Sequence, residues 1–140
     1  MADWGAMGMV SVNRDDGIWI VKLTGEQDFT TVRELRITLD ALFTPEMRPH
    51  TGPTLVVVDL THCQFFDSSV AHVIVRAHEV AQRHPKAYMA VAVGGRSRES
   101  FATRTLRLMG VTQLLPTFTS RQAAATALAE ISTAKAPEVQ

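Results

Sequence analysis

The chain has 140 residues, a mass of 15.4 kDa and a mean hydropathy of +0.04, and its 14 basic and 14 acidic side chains cancel to a formal charge of zero at pH 7. Apolar residues make up 46% and charged residues 20%, the proportions of an ordinary globular domain, which argues against a disordered chain and against a strongly basic nucleic-acid binder. A domain of this length buries roughly two-thirds of its unfolded surface, so one core without metal or disulfide staples is expected.

The elements follow in chain order. Residues 1–9, with three Met, two Gly and a Trp, show no periodicity and read as a mobile arm. Val10–Val12, a turn over Asn13–Gly17 and a strand Ile18–Leu23 read as a hairpin. Ile18, Ile20 and Lys22 take one face of that strand, and Trp19, Val21 and Leu23 the other. Thr31 followed by Glu34 has the spacing of a capping box, predicting a helix over Val32–Phe43. Thr44–Pro53, with three prolines and a glycine, is a surface loop. Thr54–Leu60 is a continuous apolar run typical of a strand buried on both faces.

After Asp67 the spacing becomes helical: Val70, Val73, Ile74, Ala77, Val80 and Ala81 share one side, and His72, Arg76, Glu79 and Arg83 the other. His84-Pro85 ends that helix, and Ala87–Val93 forms the next strand, ending at Gly94-Gly95. Ser97 caps a helix to Met109, Gly110 suits a left-handed closure, and Val111–Phe118 holds a short strand interrupted by Pro116. Ser120 caps a last helix to about Ile131, and residues 132–140 are expected to fray. The alternation predicts an α/β domain over 10–131: a mixed sheet of about four to five strands flanked by about four helices.

Cys63 is the single cysteine and has no internal partner, which favours a reducing, cytoplasmic setting. No leader pattern and no apolar run approaching about 18 residues is present, so no membrane span is expected. The cancelling charge is unevenly spread: residues 1–70 hold ten acids against five bases, and residues 71–140 four against nine.

The sharpest local feature is Phe65-Phe66-Asp67-Ser68-Ser69-Val70, two hydroxyls and a carboxylate where a strand gives way to a helix. Asp67 or Ser68 serves as helix cap in the plain reading. In the functional reading Ser69 lies in the first turn, where an added phosphate meets the positive helix end and unpaired amides. Ser69 and His72 lie three apart, but no separate acid orients the imidazole and no Gly-x-Ser-x-Gly turn is present, so no catalytic residue is nominated and an enzyme is not expected. His72, His78 and His84 recur every six residues, about 240° apart around a helix, and diverge rather than converge on a metal. Gly94-Gly95-Arg96-Ser97 lacks the lysine and spacing of a P-loop. Arg96, Arg98, Arg104 and Arg107 form no single stripe, pointing to a solvated face or protein contact rather than to direct nucleic-acid binding.

Taken together, Leu23-Thr24-Gly25-Glu26-Gln27-Asp28 with Thr31 and Glu34-Leu35-Arg36, Val57-Val58-Asp59-Leu60 leading to Phe66-Asp67-Ser68-Ser69, and Met109-Gly110-Val111 resemble in order and spacing the STAS family, named for sulfate transporters and anti-sigma-factor antagonists. The resemblance spans roughly Val10–Leu128 and favours the small bacterial antagonists. It implies a single STAS domain with Ser69 as the phosphoacceptor, Asp67 and Ser68 beside it, and no cofactor. Its partners would be an anti-sigma factor that is also a serine kinase and a phosphatase that reverses the modification. Ser69, His72 and Arg76, spaced i, i+3 and i+7, with Gln27 and Asp28 from the neighbouring loop, form the expected partner surface. Val70 and His72 stand where the family has smaller residues and lend weight to one alternative, an unphosphorylated scaffold subunit; a sensor of a small ligand or nucleotide is a further alternative.

Overall fold

The computed structural model describes residues 9–44, 52–65, 68–94, 104, 106, 107 and 110–135. The described chain runs β1 (Met9–Asp15), β2 (Ile18–Glu26), α1 (Phe29–Phe43), β3 (Thr54–Phe65), α2 (Ser68–Gln82), β4 (Ala87–Ala92), α3 (Val111–Leu114), β5 (Thr117–Phe118) and α4 (Arg121–Lys135). The five strands form one sheet in the order β1-β2-β3-β4-β5. β1 is antiparallel to β2, and every later pairing is parallel. This is the expected mixed sheet, with four helices among the described residues.

The β1–β2 turn is tighter than expected. Asp15 pairs with Ile18, leaving Asp16 and Gly17 as a two-residue loop with φ of 51° and 80°. Two consecutive left-handed residues give the turn whose twist matches the flanking strands. Asn13–Asp15 therefore belong to β1, where Arg14 stacks over Trp19 at 5.2 Å. β2 continues past Leu23 to Glu26, with register shifts against β3 near Thr24 and Gly25, and β3 continues past Leu60 to Phe65. Met9 falls in β1 and residues 132–135 in α4; the rest of the expected arm and tail lies outside the described residues.

Helices cover both faces of the sheet. On one, Val21, Leu23, Val56, Val58 and Leu60 pack against Leu35, Leu39 and Phe43 of α1 and Val70, Ile74 and Ala77 of α2. On the other, Ile18, Ile20, Leu55, Val57 and Ala90 pack against Ala124 and Leu128 of α4. The opposed faces read from β2 are those observed. Every residue from Thr54 to Leu60 is buried, including Asp59, whose carboxylate accepts from the Thr61 amide at 2.9 Å and the Thr61 hydroxyl at 2.6 Å.

Two further expectations are corrected. α1 begins at Phe29, not Val32, because the reciprocal cap is Asp28 with Thr31 rather than Thr31 with Glu34. The short strand expected within 111–118 follows Pro116 rather than being interrupted by it: with Gly110 in the left-handed region at φ 78°, residues 111–114 form a helical turn, and Thr117–Phe118 pairs with β4. Proline at 116 has no N–H to extend that pairing, and its carbonyl accepts from the Val91 amide at 3.0 Å. The expected Ser120 cap is present, accepting from the Ala123 amide at 3.0 Å. Arg104, Leu106 and Arg107 are helical, with Leu106 buried. The loop at 45–51, the Gly95–Ser97 turn and the other residues of the helix expected over Ser97–Met109 lie outside the described residues.

Candidate functional site

The start of α1 is a rigid turn. Asp28 Oδ1 accepts from the Thr31 amide at 3.0 Å, and Thr31 Oγ1 accepts from the Asp28 amide at 2.8 Å. Two of the amides that a helix start leaves without intrahelical partners are thus satisfied reciprocally. Phe29 becomes the first helical residue, 85% exposed. From it, Phe29, Val32, Arg33 and Arg36 follow at i, i+3, i+4 and i+7, one stripe of the helix.

A matching stripe lies on α2. Ser68 and Ser69, both exposed, open the helix, and Ser69, His72, Val73 and Arg76 repeat the same spacing. Ser69, His72 and Arg76 are exposed and Val73 is half-buried. Val70 is fully buried at 0% exposure, so its branched side chain occupies the core rather than the surface around Ser69.

The sheet sets α1 and α2 side by side, and the two stripes line a groove of about 570 Å³ formed by Asp28, Phe29, Val32, Arg33 and Arg36 on one wall and Ser69, His72 and Val73 on the other. Three residues nominated from sequence, Asp28, Ser69 and His72, are brought together there. Arg76 lies one helical turn further along α2, outside the lining. Gln27 also stands outside it: its Nε2 donates to the Thr24 carbonyl at 2.8 Å, and its buried Oε1 has no hydrogen-bond partner among the described residues. Asp67 lies outside the described residues.

Phe29 and Arg33 do not stand out in the sequence, Val32 enters there only as a helix start, Val73 only on the apolar side of α2, and Arg36 only within a motif. The i, i+3, i+4, i+7 spacing from Phe29 was the available signal, and it was hidden by starting the helix at Val32.

The groove's chemistry suits binding. Arg33 and Arg36 are exposed cations beside an exposed aromatic ring, and the one acid in the lining, Asp28, is engaged as the cap. No group of three or more His, Cys, Asp or Glu able to hold a metal occurs among the described residues. A second cavity, about 360 Å³, opens where α2 ends and β4 begins, lined in part by His78, Tyr88 and Leu128. It contains none of the nominated residues. Among the described residues no helix is long and apolar enough to cross a membrane.

The STAS-domain sequence model matches residues 9–124. Among solved structures, the chain is similar to an anti-sigma factor antagonist from Mycobacterium paratuberculosis, at 21% identity and a TM-score of 0.69, covering 88% of this chain and 95% of that one. It is also similar to an anti-sigma-factor antagonist (STAS) domain protein from Planctomyces limnophilus, at 18% identity and a TM-score of 0.66, covering 86% and 97%. No curated protein matches the chain.

Proposed function

The chain belongs to the STAS-domain family, and from that premise we propose that it is an anti-sigma-factor antagonist switched by phosphorylation of Ser69. Unmodified, it binds an anti-sigma factor that is also a serine kinase and so releases the sigma factor; phosphorylated, it lets go, and a phosphatase restores it. The observation that carries this reading is Ser69 itself, exposed in the first turn of α2 on the wall of the groove shared with α1.

The physics needed is local. A phosphate brings about −1.5 to −2 charges, and enclosing it in an interface fitted to a neutral hydroxyl carries a desolvation cost. A loss of about 2.8 kcal/mol weakens affinity a hundredfold, which is enough for a switch. The helix N-terminus meanwhile favours the modified serine in the free protein. Val70 gives no support to the unphosphorylated-scaffold alternative, because its side chain is turned into the core.

The test uses the anti-sigma-factor kinases of the native host, purified one at a time. Ser69→Ala is expected to bind its cognate kinase like the unmodified protein, and Ser69→Asp to lose binding. Incubation with that kinase and ATP is expected to add about 80 Da, the mass of one phosphate, to the wild type and nothing to Ser69→Ala. Equal binding by both variants overturns the switch.

A further inference from the structure

The groove between α1 and α2 carries more recognition chemistry than a phosphoacceptor needs. Phe29 is a large ring, 85% exposed, held at a helix start by the reciprocal bonds between Asp28 and Thr31. An aromatic side chain on a fixed backbone loses little freedom on binding, the property that makes such residues anchors in protein interfaces. Val32 and Val73 continue the apolar strip along both walls.

Around that strip the charge is mainly positive, two arginines against one carboxylate. Arg33 and Arg36 belong to the lining, and Arg76 extends the α2 stripe beyond it. Among the described residues none of the three has an ion-pair partner. The sole acid in the lining, Asp28, has its Oδ1 engaged by the Thr31 amide. A basic rim about an apolar strip complements a segment with acidic side chains flanking an apolar one.

We propose that the groove receives an acidic segment of the anti-sigma factor that bears at least one large apolar side chain, with Phe29 as the apolar anchor and Arg33 and Arg36 as the charge contacts. The identity of the partner rests on the function proposed above; the chemistry of the segment rests on the groove. Arginine's planar fork suits carboxylates, and bidentate pairing fixes register as well as adding affinity. The volume, about 570 Å³, admits a few side chains, such as one face of a short helix or a brief extended stretch.

Two measurements on the full chain test the proposal. In the first, isotope-labelled protein is titrated with a synthetic helix-forming peptide of Glu and Leu and with the same peptide carrying Lys for Glu. Amide shifts over residues 29–36 and 69–76 are expected with the acidic peptide alone. They should fade as salt rises from 0.1 to 1 M, which shortens the screening length from about 10 to about 3 Å. Phe29→Ala and the double variant Arg33→Gln/Arg36→Gln are each expected to weaken binding at least about tenfold, and Arg83→Gln, exposed beyond the groove, to change nothing. All the replaced side chains are exposed, so circular dichroism is expected to match the wild type.

In the second, the same variants are titrated with the cognate kinase. Kinase binding that ignores the Phe29 and arginine variants overturns the proposal while the function stands. An acidic-peptide response with no kinase binding upholds the groove chemistry and defeats the functional reading. Equal response to both peptides overturns the proposal, and so does self-association of the chain that the arginine variants abolish, which would assign the groove to a second copy.

Discussion

Asp28 and Thr31 cap one another: the Asp28 amide donates to Thr31 Oγ1 at 2.8 Å and the Thr31 amide donates to Asp28 Oδ1 at 3.0 Å. Thr31 is buried at 5% exposure and Asp28 is exposed, so the pair joins the core to the rim of the groove. Loss of an N-cap side chain costs about 1 kcal/mol. Asp28→Ala is expected to lower stability by about that amount in urea titration and the melting temperature by about 3 °C for a domain of this size. Asp28→Ser should recover most of the loss, because a serine hydroxyl caps nearly as well. An Asp28→Ala protein as stable as the wild type would show that the cap does not hold the helix start.

Val70 gives a second prediction. Its side chain is fully buried among Leu35, Leu60 and Ile74 of the main core. Val70→Gly places a small residue beside Ser69, but it removes a buried side chain worth about 2 kcal/mol and adds about 1 kcal/mol of helix penalty. The expected outcome is a protein destabilised by roughly 3 kcal/mol. Under the switch proposed above, phosphorylation of Ser69 by the cognate kinase is expected to be no faster than in the wild type. A several-fold faster rate would mean that residue 70 is read at the surface.

His78 supplies a pH dependence. Burial holds its pKa below the ordinary 6.5, against the opposing pull of the nearby Leu114 backbone and the charge of Glu79. The folded state thus disfavours the imidazolium, and the unfolded chain takes up the proton first as pH falls. The stability this neutral ring contributes is complete above 6.5, declines as pH drops from there toward the lower folded value, and levels off beyond it. His84 lines the same cavity, so the comparison must be made within one background. The urea midpoint is expected to fall between pH 7.5 and 5.5 by more in the wild type than in His78→Leu. An identical fall in both proteins assigns the dependence to other groups.

Much of the fold was legible because its strongest signals are periodic and local. The Leu55–Val58 run read as an interior strand, and the spacing Val70, Ile74, Ala77, Ala81 drew most of the buried side of α2, which also holds Ala71, while Val73 and Val80 of the same expected side are only half-buried. Errors arose where two local solutions compete. Thr31–Glu34 and Asp28–Thr31 both have capping-box spacing, and the choice depends on which way the Thr31 hydroxyl turns. Val111–Leu114 has the β-branched and apolar residues of a strand, but a left-handed glycine before it and a proline after it leave room only for a single helical turn. The groove was only half legible for a different reason. Ser69, His72 and Asp28 belong to motifs, whereas Phe29 and Arg33 matter because β2 and β3 are adjacent and bring two helices together, a tertiary fact that no local pattern carries.

β3 is the third of five strands, bonded to a parallel neighbour along each edge and enclosed from Thr54 to Leu60. Strands so enclosed open only when a whole domain opens. Ser69 stands four residues beyond the end of that strand, exposed in the first turn of the helix that follows it. Under the switch proposed above, a phosphate there would act through the surface a partner meets, with no change of fold required.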